Sequence, residues 1–171
     1  DNTGKLLVGL AGGGFNNRGY MAEYDIATNT LTDQDNYDYF LNGSGPNGDL
    51  IKLSGSGKIY GLTRFGGIGI RGTIYEFVNA ADTIQSVVAL NSSLKGRNPG
   101  GSLFTASNGK IYGTADLGST GHGVIFEFNP NTFAHTVKAR FNGANGGNPR
   151  GNFTEVNGKL YGITDNGGAQ N

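Results

Sequence analysis

Four copies of one pattern recur along the chain at intervals of about fifty residues. A Gly-Lys pair followed by an apolar residue occurs at Gly4-Lys5, Gly57-Lys58, Gly109-Lys110 and Gly158-Lys159, with spacings of 53, 52 and 49 residues. The stretches GKIYGLTRFGG, GKIYGTADLGS and GKLYGITDNGG match closely, whereas the first copy, GKLLVGLAGGG, is more divergent. Pro46, Pro99 and Pro149 keep the same period. A repeat of this length predicts a fold in which similar units stack on one another.

Each unit contains four short β-strand signals and no helical periodicity. In the third unit these signals are SLFTAS (102–107), KIYGTA (110–115), GVIFEF (123–128) and AHTVKARF (134–141). Asn-Gly and Asn-Pro turns separate them, which is typical of antiparallel hairpins. One such sheet cannot bury both faces alone, and stacking the sheets around an axis buries them.

We therefore predict an all-β, β-propeller-like fold of four-stranded antiparallel blades. Residues 1–171 form a single segment with repeats that start near residues 4, 57, 109 and 158. We expect the core between blades to include Ile59-Tyr60, Ile111-Tyr112 and Leu160-Tyr161.

The repeat unit reads G-K-[IL]-Y-G-x-T-x-x-G-G, then G-x-[IV]-[YF]-E-F, then x-P-x-G. It resembles the GloVer-type glycine-rich tandem repeat of bacterial secreted and surface proteins. The resemblance extends from Gly4 to Gly168 and is weakest in the first repeat, where Leu7-Val8 stands in place of Tyr-Gly. It implies a kelch-like β-propeller that is displayed outside the cell, with no defined catalytic residues.

The number of repeats is small for a closed ring. The period divides the 171 residues into about 3.4 repeats, and propellers use roughly four to eight blades. The strand signals number three, four, four and two along the chain. Three arrangements remain open, in which the ring is completed by other blades of the same longer chain, by a second copy, or by a partner protein.

Charge and composition exclude several classes of function. The 13 basic and 13 acidic residues balance, so no net field attracts nucleic acid. No apolar run approaches the ~20 residues of a membrane helix, so we expect no membrane insertion. The absence of cysteine excludes disulfides and thiolate chemistry. Uncharged polar residues abound while charged residues are only 15%, which favours an extracellular or cell-surface location.

The segment GGIGIRGTIYEF (66–77) contains the spacing of a dinucleotide-binding loop. Gly67, Gly69 and Gly72 form G-x-G-x-x-G. A nucleotide-binding loop opens a helix, whereas TIYEFV follows here with the composition of a strand. The sister loops also lack the spacing. We therefore predict a turn whose glycines adopt positive φ angles.

Other candidates for catalysis or metal binding have structural interpretations. Glu23, Glu76 and Glu127 recur once per blade, which favours the polar face of a strand or a repeated hydrogen bond over an acid–base pair. His122 and His135 belong to different segments and are predicted to be isolated surface residues.

The acidic run DQDNYD (33–38) resembles a calcium loop only in part, because the glycine and the terminal glutamate are missing. We predict that it forms a charged strand edge. No cofactor, metal or catalytic residue is predicted.

Loop length distinguishes the two ends of the predicted blades. The links between strands two and three, and between successive blades, are the longer ones, and in an antiparallel blade both sets emerge on one face. This long-loop face collects Arg18, Arg64, Phe65, Arg71, Lys95, Arg97, His122 and Arg150, with few acids. Either it binds a ligand, as loops on rigid scaffolds often do, or it consists of solvated turns.

From the sequence we expect a non-enzymatic extracellular module for display, adhesion or protein–protein interaction. Two alternatives remain, a carbohydrate-binding, lectin-like propeller and a part of a glycan-active enzyme whose catalytic residues lie elsewhere.

Overall fold

Short strands alternate with turns that asparagine, aspartate and glycine make possible. The computed structural model describes residues 4–78 and 80–169. The strands are β1 (Lys5–Leu10), β2 (Tyr20–Asp25), β3 (Thr30–Asn36), β4 (Ser44–Lys52), β5 (Ile59–Phe65), β6 (Thr73–Val78), β7 (Thr83–Ala89), β8 (Arg97–Pro99), β9 (Phe104–Thr105), β10 (Ile111–Leu117), β11 (Val124–Phe128), β12 (His135–Arg140), β13 (Gly147–Val156) and β14 (Lys159–Asn166). The helical content of the described residues is one 3₁₀ turn, Phe15–Asn17.

The strands form four antiparallel sheets, which we call blades 1 to 4. Their strand orders are β1-β2-β3, β4-β5-β6-β7, β8/β9-β10-β11-β12 and β13-β14. The predicted counts of three, four, four and two strands are therefore confirmed, if β8 and β9 count as one interrupted strand. The all-β, propeller-like class is confirmed as well, in an arrangement that is not closed.

The first strand of blades 2, 3 and 4 bends away from its partner at the same place. The register shifts between Asn47 and Ile51 and again between Arg150 and Thr154. In blade 3 the equivalent interruption separates β8, which pairs with the end of β10, from β9, which pairs with its beginning. The predicted strand 102–107 is wrong in its bounds, because β9 covers only Phe104–Thr105 of it and β8 lies before it. Such bulges leave a few residues outside the hydrogen-bonded strand pairing and change the direction in which those residues point.

The residues outside this pairing bring the three first strands into contact. The amide of Asp49 donates to Ser102 Oγ at 2.7 Å, and Asn152 Nδ2 donates to Asp49 Oδ2 at 2.7 Å. Gly101 and Gly151 form a parallel bridge, and a Cβ on Gly101 would lie 2.0 Å from the carbonyl oxygen of Gly151. Glycine is therefore required where the strands approach the axis.

Two apolar clusters hold successive blades together. Between blades 1 and 2 lie Met21, Tyr37, Tyr75, Phe77 and Ile84. A larger cluster between blades 2 and 3 includes Tyr60 and Phe128, whose rings meet edge to face with centroids 5.3 Å apart. Stacked sheets thus bury the faces that a lone sheet would expose.

The predicted core between blades is correct except in blade 4. Tyr60 and Ile111 are fully buried, and Ile59 and Tyr112 are half-buried. Tyr161, in contrast, is 56% exposed, and Leu160 is half-buried. Blade 4 consists of two strands in the described residues, so no third strand and no following blade cover this pair.

Candidate functional site: the long-loop face

The longer loops contact one another and form one continuous surface. The amide of Gly67 donates to the carbonyl of Tyr39 at 2.6 Å, which joins a loop of blade 2 to the link between blades 1 and 2. The amide of Asn98 donates to the carbonyl of Arg71 at 2.7 Å, and the amide of Asn148 donates to the carbonyl of His122 at 2.9 Å. The long-loop face is therefore a connected surface across all four blades.

The glycine-rich loop 66–72 is a structural turn, as predicted. Gly67, Gly69 and Gly72 have φ angles of 72°, 98° and 97°. The amide of Gly72 donates to the carbonyl of Gly66 at 3.0 Å and closes the loop. The chain then enters β6, so no helix dipole is available for a phosphate.

Arg64 and Arg150 converge on an acid that the sequence analysis did not include in this face. Arg64 Nη2 lies 2.5 Å from Asp116 Oδ2, and Arg150 Nη2 lies 3.9 Å from the same oxygen. Arg150 also pairs with Asp165 through its Nε. The prediction of a basic face with few acids is therefore wrong here, because these two arginines are neutralised.

Asp116 is the buried centre of this charge network. Burial raises the pKa of its carboxyl group, against the opposing effect of Arg64 and Arg150. Its Oδ1 has no hydrogen-bond partner in the structure. Arg64, Asp116 and Asp165 occupy the same position of three successive repeats, so the repeat alignment already contained the signal for this pairing.

Arg18 lies in an aromatic environment on blade 1. Its guanidinium carbon is 4.9 Å from the ring centroid of Tyr39 and 5.8 Å from that of Phe40. Phe65 is exposed, and the guanidinium of Arg64 lies 5.8 Å from its ring centroid. These contacts fix the arginines by cation–π attraction beside exposed aromatic rings.

The remaining predicted residues are spread along the face. Arg71 and Lys95 are exposed, and Arg97 is half-buried with an Nε that lacks a partner. His122 is half-buried, and its ring lies close to Gly143 and Gly147. The structure does not bring these four side chains together as one site.

The face carries exposed apolar side chains, of which the sequence analysis singled out Phe65 alone. They lie in the long loops and at the strand ends beside them, and they are Phe15, Phe40, Leu41, Phe65, Ile68, Ile70 and Leu94. Phe15 is 75% exposed and Ile68 is 72% exposed. The sequence pattern that could have predicted them is the presence of large apolar residues within glycine- and asparagine-rich loops, because such loops have no core in which to bury these residues. We call this set the apolar loop patch.

The recurring glutamates accept a repeated hydrogen bond in blades 1, 2 and 3, as predicted, and the donor is a lysine, so the bond is also an ion pair. Glu23, Glu76 and Glu127 pair with the lysine of the Gly-Lys motif in their own blades, at 2.6, 3.2 and 3.2 Å. Each glutamate lies on its own third strand, so they do not approach one another as an acid–base pair would.

His135 corrects the prediction of an isolated surface residue. Its ring packs on Phe126 with centroids 4.7 Å apart, and neither ring nitrogen has a hydrogen-bond partner. Burial is the main cause that lowers its pKa to about 4. His135 is therefore a neutral packing residue at pH 7.

The acidic run 33–38 uses its carboxylates to bind backbone amides. Asp35 accepts from the amides of Asn36 and Ile84, each at 2.8 Å. Asp38 accepts from the amides of Phe40 and Leu41 at 2.8 and 3.0 Å. Across residues 4–78 and 80–169, no group of three or more His, Cys, Asp or Glu side chains could hold a metal ion.

The stacked sheets, their repeated ion pair and their repeated bulge define an all-β tandem-repeat protein with propeller-like blades. A family model described as the Gloeobacter/Verrucomicrobia repeat matches residues 1–171, and the chain belongs to this family. No curated protein sequence matches the chain. The described part of the chain contains no helix of the length and apolarity that crossing a membrane would need.

Proposed function

We propose that the protein is a non-enzymatic module for display, adhesion or protein–protein interaction at the cell surface or outside the cell. The long-loop face binds a protein partner. The observation that carries the proposal is the apolar loop patch, whose side chains are exposed although the same chain buries apolar residues efficiently between its blades.

The chemistry of the patch suits a protein partner. Exposed aromatic rings beside arginine are typical of the energetic centre of protein interfaces. Arg18 beside the exposed ring of Phe40 and the half-buried ring of Tyr39 is such a group. The pairing of Arg64 and Arg150 with Asp116 and Asp165 weakens the charge of the face, so apolar contact dominates recognition. The blades supply the rigid support that binding loops need.

The test compares two variants that each replace one exposed apolar side chain, at opposite ends of the blades. Phe40→Ser lies in the long-loop face, whereas Ile26→Ser lies in the short link between β2 and β3. Each variant and the wild type are coupled to resin and exposed to an extract of surface and secreted proteins, and the bound proteins are quantified by mass spectrometry.

We expect a set of proteins that binds the wild type and Ile26→Ser equally. The amount of these proteins captured by Phe40→Ser should be at least about tenfold lower, which is the loss typical of an interface anchor. Equal capture by both variants would contradict the proposal. The cellular location is tested separately by fractionation, in which we expect the protein outside the cytoplasm.

A carbohydrate ligand is the second candidate, and one cavity favours it. This cavity has a volume of about 330 Å³ and is lined by Phe15, Asn16, Arg18, Asn36, Tyr37 and Asp38. An exposed ring beside amide, carboxylate and guanidinium groups can stack on a sugar and bind its hydroxyls. On a glycan array we expect binding that Phe15→Ala abolishes. The absence of any bound glycan would refute this candidate.

A further inference from the structure

The outer edge of β14 lies outside the long-loop face and differs from every equivalent edge in the chain. β5 and β10 are the equivalent second strands of blades 2 and 3, and each pairs with a third strand, β6 or β11. In blade 4, β14 pairs with β13 on one side, and no other strand of the described residues pairs with it. The sister blades therefore show what covers such an edge.

A glycine stands in the middle of the second strand in blades 2, 3 and 4, and in blades 2 and 3 it makes room for an aromatic ring. A Cβ on Gly61 would lie 2.3 Å from the hydroxyl oxygen of Tyr75, and a Cβ on Gly113 would lie 2.5 Å from Cζ of Phe126. Tyr75 and Phe126 stand opposite these glycines on the third strands. Gly162 has the same position in β14, but a Cβ there would meet only the ring of Phe153, at 3.2 Å.

The space that the ring occupies in blades 2 and 3 is an open cavity in blade 4. This cavity has a volume of about 310 Å³ and lies between blades 3 and 4. Its lining includes Gly162, Leu160, Phe153, Phe141 and Ile125. Aromatic and aliphatic side chains therefore surround the place of the missing ring.

The charge at this edge is also unpaired. Lys5, Lys58 and Lys110 each pair with the glutamate of the neighbouring third strand. Lys159 is the equivalent lysine of blade 4, and in the described residues it has no ion-pair partner. In blade 2 the hydroxyl of Tyr60 also donates to Glu76 at 3.1 Å, and Tyr161 is the equivalent tyrosine of blade 4.

We propose that β14 is a strand-accepting site for the third strand of a further repeat of the same type, with the pattern G-x-[VI]-[FY]-E-F. The incoming strand adds antiparallel to β14, as in other cases of β-strand addition. Its first aromatic residue stands opposite Gly162 and fills the cavity. Its glutamate stands opposite Tyr161 and pairs with Lys159, and its last aromatic residue stands opposite Leu160.

The test titrates the 171-residue chain with a synthetic peptide of residues 122–130, HGVIFEFNP. Binding is measured by calorimetry, and backbone NMR locates it on the chain. We expect one peptide per chain, with the largest shifts at Gly162 and its neighbours. A peptide with Phe126→Ala should bind at least about tenfold more weakly, because it leaves the cavity empty.

Charge reversal tests the direction and register of the added strand. The protein variant Lys159→Glu should weaken binding of the unchanged peptide about two- to fivefold and favour a peptide with Glu127→Lys by a similar factor. Lys52→Glu, an exposed lysine on β4, is the matched control and should leave binding unchanged. Gly162→Val should block the aromatic slot, with circular dichroism to confirm that the variant is folded.

Three results would overturn the proposal. The first is that a scrambled peptide binds as tightly as the peptide of residues 122–130, and the second is that Lys159→Glu and Gly162→Val leave the binding of that peptide unchanged. The third is that β14 pairs with a second copy of the chain in place of the peptide. Because Phe40→Ser does not touch β14, a failure of this site leaves the test of the long-loop face unaffected.

Discussion

A methyl group at Gly113 should destabilise the protein, because the ring of Phe126 already occupies that space. In Gly113→Ala the new Cβ would lie 2.5 Å from Cζ and 2.8 Å from Cε2 of Phe126, and 3.2 Å from Leu103 Cδ2. Phe126 is fully buried between blades 2 and 3 and cannot move freely. Overpacking of a close-packed core costs about 1–3 kcal/mol. At about 2 kcal/mol, the melting temperature of a chain this long falls by roughly 4–8 °C.

Gly162→Ala is the matched control, because the two glycines are equivalent in the repeat. Neither glycine has a positive φ angle, so neither substitution strains the backbone. At Gly162 the nearest atoms belong to the ring of Phe153 at 3.2 Å. We expect a change within about 0.5 kcal/mol, since a small shift of the ring suffices and alanine reduces the entropy of the unfolded chain. Both variants are compared by thermal and urea unfolding. Equal destabilisation by the two substitutions would refute the inference that the aromatic slot is filled in blade 3 and open in blade 4.

Three further predictions concern buried polar groups. Arg64→Ala should lower the free energy of unfolding by about 1–3 kcal/mol at pH 7, because it leaves the buried carboxylate of Asp116 with one distant arginine. Urea unfolding should show a smaller loss at lower pH, because burial raises the pKa of this carboxyl and it becomes protonated as the pH falls. His135 has a pKa of about 4 in the folded protein, below its ordinary 6.5, so its contribution to stability is complete above pH 6.5 and is lost as the pH falls toward 4, by up to about 3 kcal/mol. The difference in unfolding free energy between the wild type and His135→Phe should follow this pH dependence, and a difference that stays constant with pH would contradict it. Tyr75→Phe should lower the free energy of unfolding by about 1–2 kcal/mol, because the buried hydroxyl of Tyr37 donates to that of Tyr75 at 2.8 Å. In the same unfolding assay, the double variant Tyr37→Phe/Tyr75→Phe should lose less than the sum of the losses of the two single variants.

The repeat predicted the fold because the same local sequence pattern, and with it the same turns and strands, recurs along the chain. The Asn-Gly turns, the alternating third strand and the glutamate of each unit occur several times, so each confirms the others. Glu76 and Glu127 were predicted to have a repeated structural role, because their recurrence contradicted a unique catalytic role, and the structure shows this role to be a hydrogen-bonded pair with a lysine. The sheet order and the strand counts follow from the same recurrence.

Other features depend on contacts between distant repeats and were not predictable from local pattern. The interruption between β8 and β9 follows from the approach of Gly101 to Gly151, fifty residues away. Asp116 pairs with Arg64 from the preceding blade, so a comparison of the two repeats contains the signal for this pairing and the pattern of either repeat alone does not. Exposure of Tyr161 depends on which strands cover β14, which its own sequence does not reveal. Long-range packing therefore decided the charge balance of the long-loop face.

Amide hydrogen exchange along the three equivalent second strands, β5, β10 and β14, tests most directly that blade 4 has an open edge. In blades 2 and 3 the edge of the second strand that faces the third strand is hydrogen-bonded, so we predict slow exchange of the amides on that edge of β5 and β10. The amides of β14 that point away from β13 should exchange at rates near those of an unstructured chain, and the peptide of residues 122–130 should slow them. Uniform protection of β14 in the absence of the peptide would contradict the open edge and the strand-accepting site together.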